Sequence, residues 1–388
     1  MLRLLFLFLM EIFSFSQQKS DKEILKEILV KNKLSISSFT VYHSTSEIPD
    51  YFSKQPDLWY MIEDNNKIKM LRISNKGLIQ LSLSGLANLE KLDLRCNITD
   101  LNLSKFPQNL KELDLSKNKG LTRVDLSGLT NLEMLDLEDC NITDLKLYNL
   151  PNLKEINLSW NEELTRIDLS KLTNLEKLIL IKCNITDLSL FKFPPNLKEL
   201  ALSYNEKLTR VDLSRLTNLE RLYLSGCNIT DLSLSKFPPN LKELVLSNNE
   251  SLTRVDLSGL TNLEKLDLSW CNLTDLKLSN LPNLKELDLT GNSDLTQVDL
   301  SGLTNLEKLD LSVCNITDLS LSKFPLNLKE IDLSENENLT RVDLSGLTNL
   351  EKLNLGGCKN LKEVILSKDV KDKISITGDV DKINIIWK

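Results

Sequence analysis

The sequence predicts a solenoid: short strands stacked into a curved parallel β-sheet, a convex side of 3₁₀ or extended segments, and a small α+β cap at the N-terminus. Two observations predict it. Seven cysteines, Cys96, Cys140, Cys183, Cys227, Cys271, Cys314 and Cys358, recur every 43 or 44 residues. Midway between them the same position holds Asn118, Asn161, Asn205, Asn249, Asn292 and Asn336. A repeat cannot bury its apolar face alone, so such units must stack. Self-similarity therefore overrides the two or three globular domains that 388 residues would otherwise imply.

Each unit carries the same strand motif, as in Leu263-x-x-Leu266-x-Leu268-x-x-Cys271-x-Leu273 and Leu284-x-x-Leu287-x-Leu289-x-x-Asn292-x-x-Leu295. This pattern, L-x-x-L-x-L-x-x-N/C-x-L, resembles the leucine-rich repeat family over roughly three quarters of the chain. The short repeats with a second L-x-L run, such as Leu276-Lys277-Leu278, resemble those of internalin-type bacterial surface proteins. The resemblance implies a leucine-rich repeat solenoid of about 14 repeats over residues 68–366, between a cap at 17–67 and a C-terminal cap at 367–388.

At the N-terminus, residues 1–16 place Arg3 before the apolar run Leu4–Met10, with small residues at Ser14 and Ser16. This reads as a secretory signal peptide, interrupted by Glu11; the alternative is a buried helix packed on the first repeat. Ser20-Asp21-Lys22-Glu23 is a capping box, and Ile24, Leu25, Ile28 and Leu29 give an apolar stripe, predicting a helix over Asp21–Lys31. Ser35–His43 reads as extended, and Pro49 and Pro56 as loop. Leu58–Ile62, a turn at Glu63–Asn66 and Ile68–Ile73 read as a hairpin. The helix-then-hairpin order resembles the capping module of extracellular leucine-rich repeat proteins, and it would cover the first repeat's core.

Within the repeats, cysteine units read Leu-Glu-Lys-Leu and asparagine units Leu-Lys-Glu-Leu, as at Glu264-Lys265 and Lys285-Glu286. Neighbouring strands therefore set Lys against Glu, and a slip by one unit would oppose like charges. The cysteines lie two strands apart, about 9–10 Å, beyond disulfide reach, which predicts buried free thiols alternating with Asn in one structural ladder. Phe106-Pro107, Phe193-Pro194, Phe237-Pro238 and Phe324-Pro325 predict Phe filling the back of the core and Pro fixing a turn. Repeats this short leave no room for a convex helix. The recurrent Asn-Ile-Thr triplets match a glycosylation pattern, but their periodicity has a sufficient structural explanation. From Leu361 the pattern decays into Val364–Leu366, Lys373–Ile376 and Lys382–Trp387, read as short terminal strands.

Composition narrows the function. A net charge of −7 without a basic stripe argues against nucleic acid. No later apolar run approaches the ~18 residues of a membrane span. The single histidine, His43, lies in the cap, and no phosphate loop, metal-ligand cluster or nucleophile elbow is present, so neither an enzyme nor a cofactor is expected.

Departures from the repeat are the informative positions. The column between the two strand leucines reads Asp93, Asp114, Asp136, Asn157, Ile179, Ala201, Tyr223, Val245, Asp267, Asp288, Asp310, Asp332 and Asn354. Four adjacent strands exchange an acid or amide for Ile179, Ala201, Tyr223 and Val245. Trp160, Ile181, Lys182 and Tyr204 lie beside them, with Trp270 at the far edge, forming a candidate partner-binding patch on the concave face. The acidic run from Asp267 to Asp332 stacks like charges, for which compensation by the neighbouring Lys column is the plainer reading and a bound cation the alternative. The resemblance implies a monomeric, exported or surface-held binding protein that recognises a protein or glycan, an adhesin or recognition scaffold. The alternative is an intracellular scaffold or host-directed effector, which free cysteines suit equally.

Overall fold

A computed structural model describes residues 19–388 apart from 32, 35, 48–57, 63–66, 75–81, 84, 100–105, 165, 231, 233–235, 253–254, 256, 258, 275, 277, 279, 297, 301, 318 and 320–323. The expected signal peptide, the two loop prolines Pro49 and Pro56, and the turn Glu63–Asn66 lie outside the described residues. The chain divides into two compact units, Met1–Leu153 and Lys154–Lys388. Both are parallel β-solenoids.

The first unit opens with the helix Asp21–Lys31. Ser20 caps it: its N–H and hydroxyl donate to the Glu23 carboxylate at 2.9 and 3.0 Å, and the Glu23 N–H donates back to Ser20 Oγ at 3.3 Å. Leu25, Ile28 and Leu29 form the buried stripe. Asp21 is buried with them, and its carboxylate accepts from the Ile68 N–H at 2.8 Å, tying the helix to the first solenoid strand. The Ser35–His43 segment departs from a single extended run: a 3₁₀ turn, Ile36–Ser38, precedes the strand Thr40–Tyr42. Adjacent serines favour such turns because short hydroxyl side chains compete for nearby backbone groups. Leu58–Ile62 pairs parallel with Thr40–Tyr42 and antiparallel with Ile68–Ile73, after which the parallel ladder runs through Lys91–Leu94, Glu112–Asp114 and Met134–Asp136.

In the second unit eleven parallel strands follow one another among the described residues, from Glu155–Asn157 to Ser375–Thr377. The full internal strands are three residues long, because only the central Leu or Ile points into the core while its neighbours face outward. Their register opposes charges: Glu155, Lys177, Glu199, Arg221, Glu243 and Lys265 are successive partners. Arg221 Nε lies 2.9 Å from Glu199, and Lys352 Nζ 2.7 Å from Glu330. Each such pair contributes less than about 1 kcal/mol, so their weight lies in fixing register.

All seven cysteines are free and buried. Each strand's exit is held by the next unit. Asn205, fully buried, accepts at Oδ1 from the N–H groups of Cys183 (2.9 Å) and Ile185 (3.0 Å). Its Nδ2 donates to the carbonyls of Leu180 (2.9 Å) and Leu202 (2.6 Å). The thiols donate to the equivalent carbonyl one unit back, Cys183 to Leu158 at 3.2 Å and Cys271 to Leu246 at 3.2 Å. Burial pushes the thiols of Cys140, Cys183, Cys227 and Cys271 up to about 12.

The back carries short strands, such as Ile167–Asp168 with Phe191–Lys192, and the 3₁₀ turn Leu188–Leu190. The Phe-Pro pairs differ from expectation. Phe106 is buried, but Phe193, Phe237 and Phe324 are half-buried, whereas Pro107, Pro194, Pro238 and Pro325 are all buried. Proline stands three residues before the next inward leucine, the place Leu129 takes before Leu132, so proline fills the core position and Phe covers its edge. At the C-terminus, Ser375–Thr377 adds to the front sheet, while Arg341–Leu344, Glu363–Leu366 and Asn384–Trp387 form the back. Among the described residues no helix is long and apolar enough to cross a membrane.

Candidate binding face

The outward column of the second unit explains both its rule and its exceptions. At Asp267, Asp288, Asp310 and Asp332 one carboxylate oxygen accepts the N–H two residues on, at 2.9, 2.9, 2.9 and 2.8 Å. Asn157 and Asn354 do the same for Ser159 (3.0 Å) and Gly356 (3.1 Å). The repeated acid or amide is therefore a local cap for the chain leaving the strand.

Ile179, Ala201, Tyr223 and Val245 cannot make this bond. They are direct neighbours in register. Two of the orphaned donors find partners one repeat back: Ile181 N–H reaches Ser159 Oγ at 3.3 Å and Ser225 N–H reaches Ser203 Oγ at 3.2 Å. Ala201 is buried, at 7% exposure. Ile179, Ile181, Tyr223 and Val245 are half-buried. The Tyr223 hydroxyl donates to Glu243 at 3.3 Å; burial, with the Glu243 and Glu199 carboxylates, pushes the phenol up to about 12, so it stays neutral.

Trp160, Lys182, Tyr204 and Trp270 occupy a second column, at the strand exits. Every one has a left-handed backbone, with φ of 62°, 54°, 60° and 56°. Trp160, Tyr204 and Trp270 are 42%, 49% and 49% exposed. Lys182 Nζ sits 3.9 Å from the Trp160 ring centre, a cation–π contact. Sequence reasoning missed the glycines of this column. A Cβ on Gly226 would stand 2.7 Å from the Tyr204 ring, and one on Gly291 only 2.4 Å from that of Trp270. Each ring thus lies across the glycine of the next unit, with φ of +61° and +74° at those glycines. Gly one repeat after an aromatic was the available signal. Trp160, Lys182 and Tyr204 are consecutive in this column, whereas Gly226 and Asn248 separate Trp270 from Tyr204.

The acidic half lines a groove of about 530 Å³ running from Asp267 to Asn354 and Thr377. Compensation by the lysine column is not what forms. Lys265 reaches Glu243 at 3.5 Å and Lys308 reaches Glu330 at 3.8 Å, because lysine and glutamate sit side by side in register while the aspartates lie one pleat further on. No cluster able to hold a metal ion occurs among the described residues. In the first unit the same column is handled differently: Arg95 lies 3.2 Å from Asp93 and 2.6 Å from Asp114, and Arg72 lies 3.3 Å from Asp93. His43 is exposed in the cap.

Comparison with known proteins places these features. No curated protein sequence matches the chain significantly. Among solved structures, the functional domain of InlJ from Listeria monocytogenes, described as including a cysteine ladder, is similar at 24% identity and a TM-score of 0.50, covering 80% of this chain and 67% of that one. The TLR13–ssRNA13 complex matches at 22% identity and 0.51, over 84% of this chain and 63% of that one. An internalin, InlF, from Listeria monocytogenes str. 4b F2365 matches at 22% identity and 0.45, over 80% and 86%. A family profile described as leucine rich repeat matches residues 87–142, 173–229, 217–273 and 304–359. Those segments make up more than half of the sequence, and the protein accordingly belongs to the leucine-rich repeat family.

Proposed function

We propose that this is an exported leucine-rich repeat protein that recognises a protein partner through the outward face of its front sheet. The patch comprises Ile179, Ala201, Tyr223 and Val245, with Ile181 beside them and Trp160, Lys182, Tyr204 and Trp270 at the strand exits. One observation carries the reading. Four adjacent strands give up the side-chain cap that their neighbours on both sides keep, with a serine hydroxyl one repeat back replacing it at Ile181 and Ser225, and set Ile179, Ala201, Tyr223 and Val245 in its place. Ile179, Tyr223 and Val245 stay only half-buried, so the exchange offers a partner a contiguous apolar anchor with aromatic neighbours.

A protein is favoured over a glycan because Ile179 and Val245 supply aliphatic surface. RNA, present in the TLR13 complex, fits poorly against a chain of net charge −7 whose face holds four aspartates. Export draws on the leader reading of residues 1–16. Seven free thiols favour a second reading, an intracellular scaffold using the same face.

The test compares proteins captured by the intact chain with those captured by Ile179→Asp/Tyr223→Lys, scored by quantitative mass spectrometry. Asp at position 179 is the residue type that most repeats carry in this column, so the fold should persist. A partner lost from the variant is the expected result; a capture profile identical for both proteins refutes the assignment of this face.

A further inference from the structure

We infer that the partner presents a polypeptide segment that is apolar over one half and rich in Lys and Arg over the other; this rests on the sheet face being the binding surface. Past Val245 the column continues in register as Asp267, Asp288, Asp310 and Asp332. Successive carboxylates are about 4.8 Å apart, a spacing at which like charges oppose one another. Their orientation is fixed, since one oxygen of each accepts a backbone N–H of its own strand exit.

Intramolecular cations do not serve this column. Among the described residues no Lys or Arg comes within ion-pair distance of Asp267, Asp288 or Asp310; the lysines beside them reach Glu243 and Glu330. The first unit shows what the fold does when it neutralises such a column itself: Arg95 bridges Asp93 and Asp114. In the second unit the compensating charge is left to be supplied from outside. The groove over these aspartates begins at the strand of Asp267, which pairs in register with the strand of Val245 at the edge of the apolar patch. Eight strands, from Lys177–Ile179 to Glu330–Asp332, span about 34 Å, the length of roughly ten extended residues. A segment of that length would lay apolar side chains over Ile179 to Val245 and cations over Asp267 to Asp332.

The test selects twelve-residue peptides from a random displayed library on the intact chain. Recovered peptides are then measured against two variants, Asp267→Asn/Asp288→Asn/Asp310→Asn and Ile179→Asp/Tyr223→Lys. Asn keeps the acceptor oxygen, so unchanged melting of the first variant certifies its fold. The expected peptides are enriched in Lys and Arg beside apolar residues, bind the Asn variant about tenfold or more weakly, and weaken as salt is raised. Peptides without basic enrichment, or binding equally to the Asn variant while losing the Ile179→Asp/Tyr223→Lys variant, overturn the cationic partner alone. Peptides indifferent to both variants overturn the reading of the face as well. No enrichment over the naive library, with neutral oligosaccharides binding instead, also overturns the proposal.

Discussion

Asn205→Cys separates a ladder held by hydrogen bonds from one held by shape. Cysteine stands at this position in both flanking units, as Cys183 and Cys227, so the smaller side chain is compatible with the ladder's geometry. What it cannot do is accept the N–H groups of Cys183 and Ile185, now bonded to Asn205 Oδ1 at 2.9 and 3.0 Å. A thiol is a weak acceptor and supplies a single weak donor for the Leu180 and Leu202 carbonyls. Two buried N–H groups without acceptors cost about 1–3 kcal/mol each. The Leu202 carbonyl keeps the Cys227 thiol at 3.4 Å, so the carbonyls add less, and the loss should total about 3–6 kcal/mol. Cys227→Ser, which trades one donor to that carbonyl for another, should cost about 1 kcal/mol. Urea unfolding followed by far-ultraviolet circular dichroism measures both, and amide exchange at Ile185 reports the site itself. The Ile185 amide should exchange about tenfold or more faster in Asn205→Cys, because local opening no longer breaks its bond. A variant within about 1 kcal/mol of wild type, with Ile185 still protected, refutes the hydrogen-bond account.

Three further outcomes follow from the same geometry. With thiols at about 12, Cys140, Cys183, Cys227 and Cys271 should resist iodoacetamide at pH 8 in the folded chain and react once it is unfolded; intact mass counts the adducts. The same shift sets an alkaline limit. The folded thiols hold protons that unfolded thiols release above 9.0, so stability should fall as pH rises from 9 towards 12, by about 1.4 kcal/mol per such thiol at pH 10, read from urea midpoints against an Ala variant. Gly291→Ala puts a Cβ 2.4 Å from the Trp270 ring at a φ of +74°; it should cost about 1–2 kcal/mol and red-shift Trp270 fluorescence in a chain whose other tryptophans are replaced by Phe.

Much of the fold was legible because the chain repeats. The Leu-x-x-Leu-x-Leu motif and the Cys and Asn spacing set strand positions, and alternating basic and acidic order set register, since each rule is restated at nearly every turn, Met134 being a departure. Other features depend on contacts between units that one unit's residues do not reveal. Arg95 sits where most other repeats hold Ser or Thr, and its pairing with Asp93 and Asp114 requires two strands side by side. Left-handed backbone at Trp160, Lys182 and Tyr204 was hidden because these residue types rarely adopt it, and only the glycines further along the column show what the position demands. Proline taking an inward leucine position at Pro194 and Pro238 was masked by the larger Phe before it. The patch column could be read as a departure from period; that Asp is a backbone cap there, and so that Ile179 forgoes one, became visible only in three dimensions.

The central claim is that the sheet face around Ile179 and Tyr223 binds a protein. Its most direct measurement is titration calorimetry of a captured partner against wild type and Ile179→Asp/Tyr223→Lys, with thermal melting of both proteins alongside. The account predicts a loss of affinity of about a hundredfold or more with the melting temperature nearly unchanged. Undiminished affinity in a folded variant would contradict it.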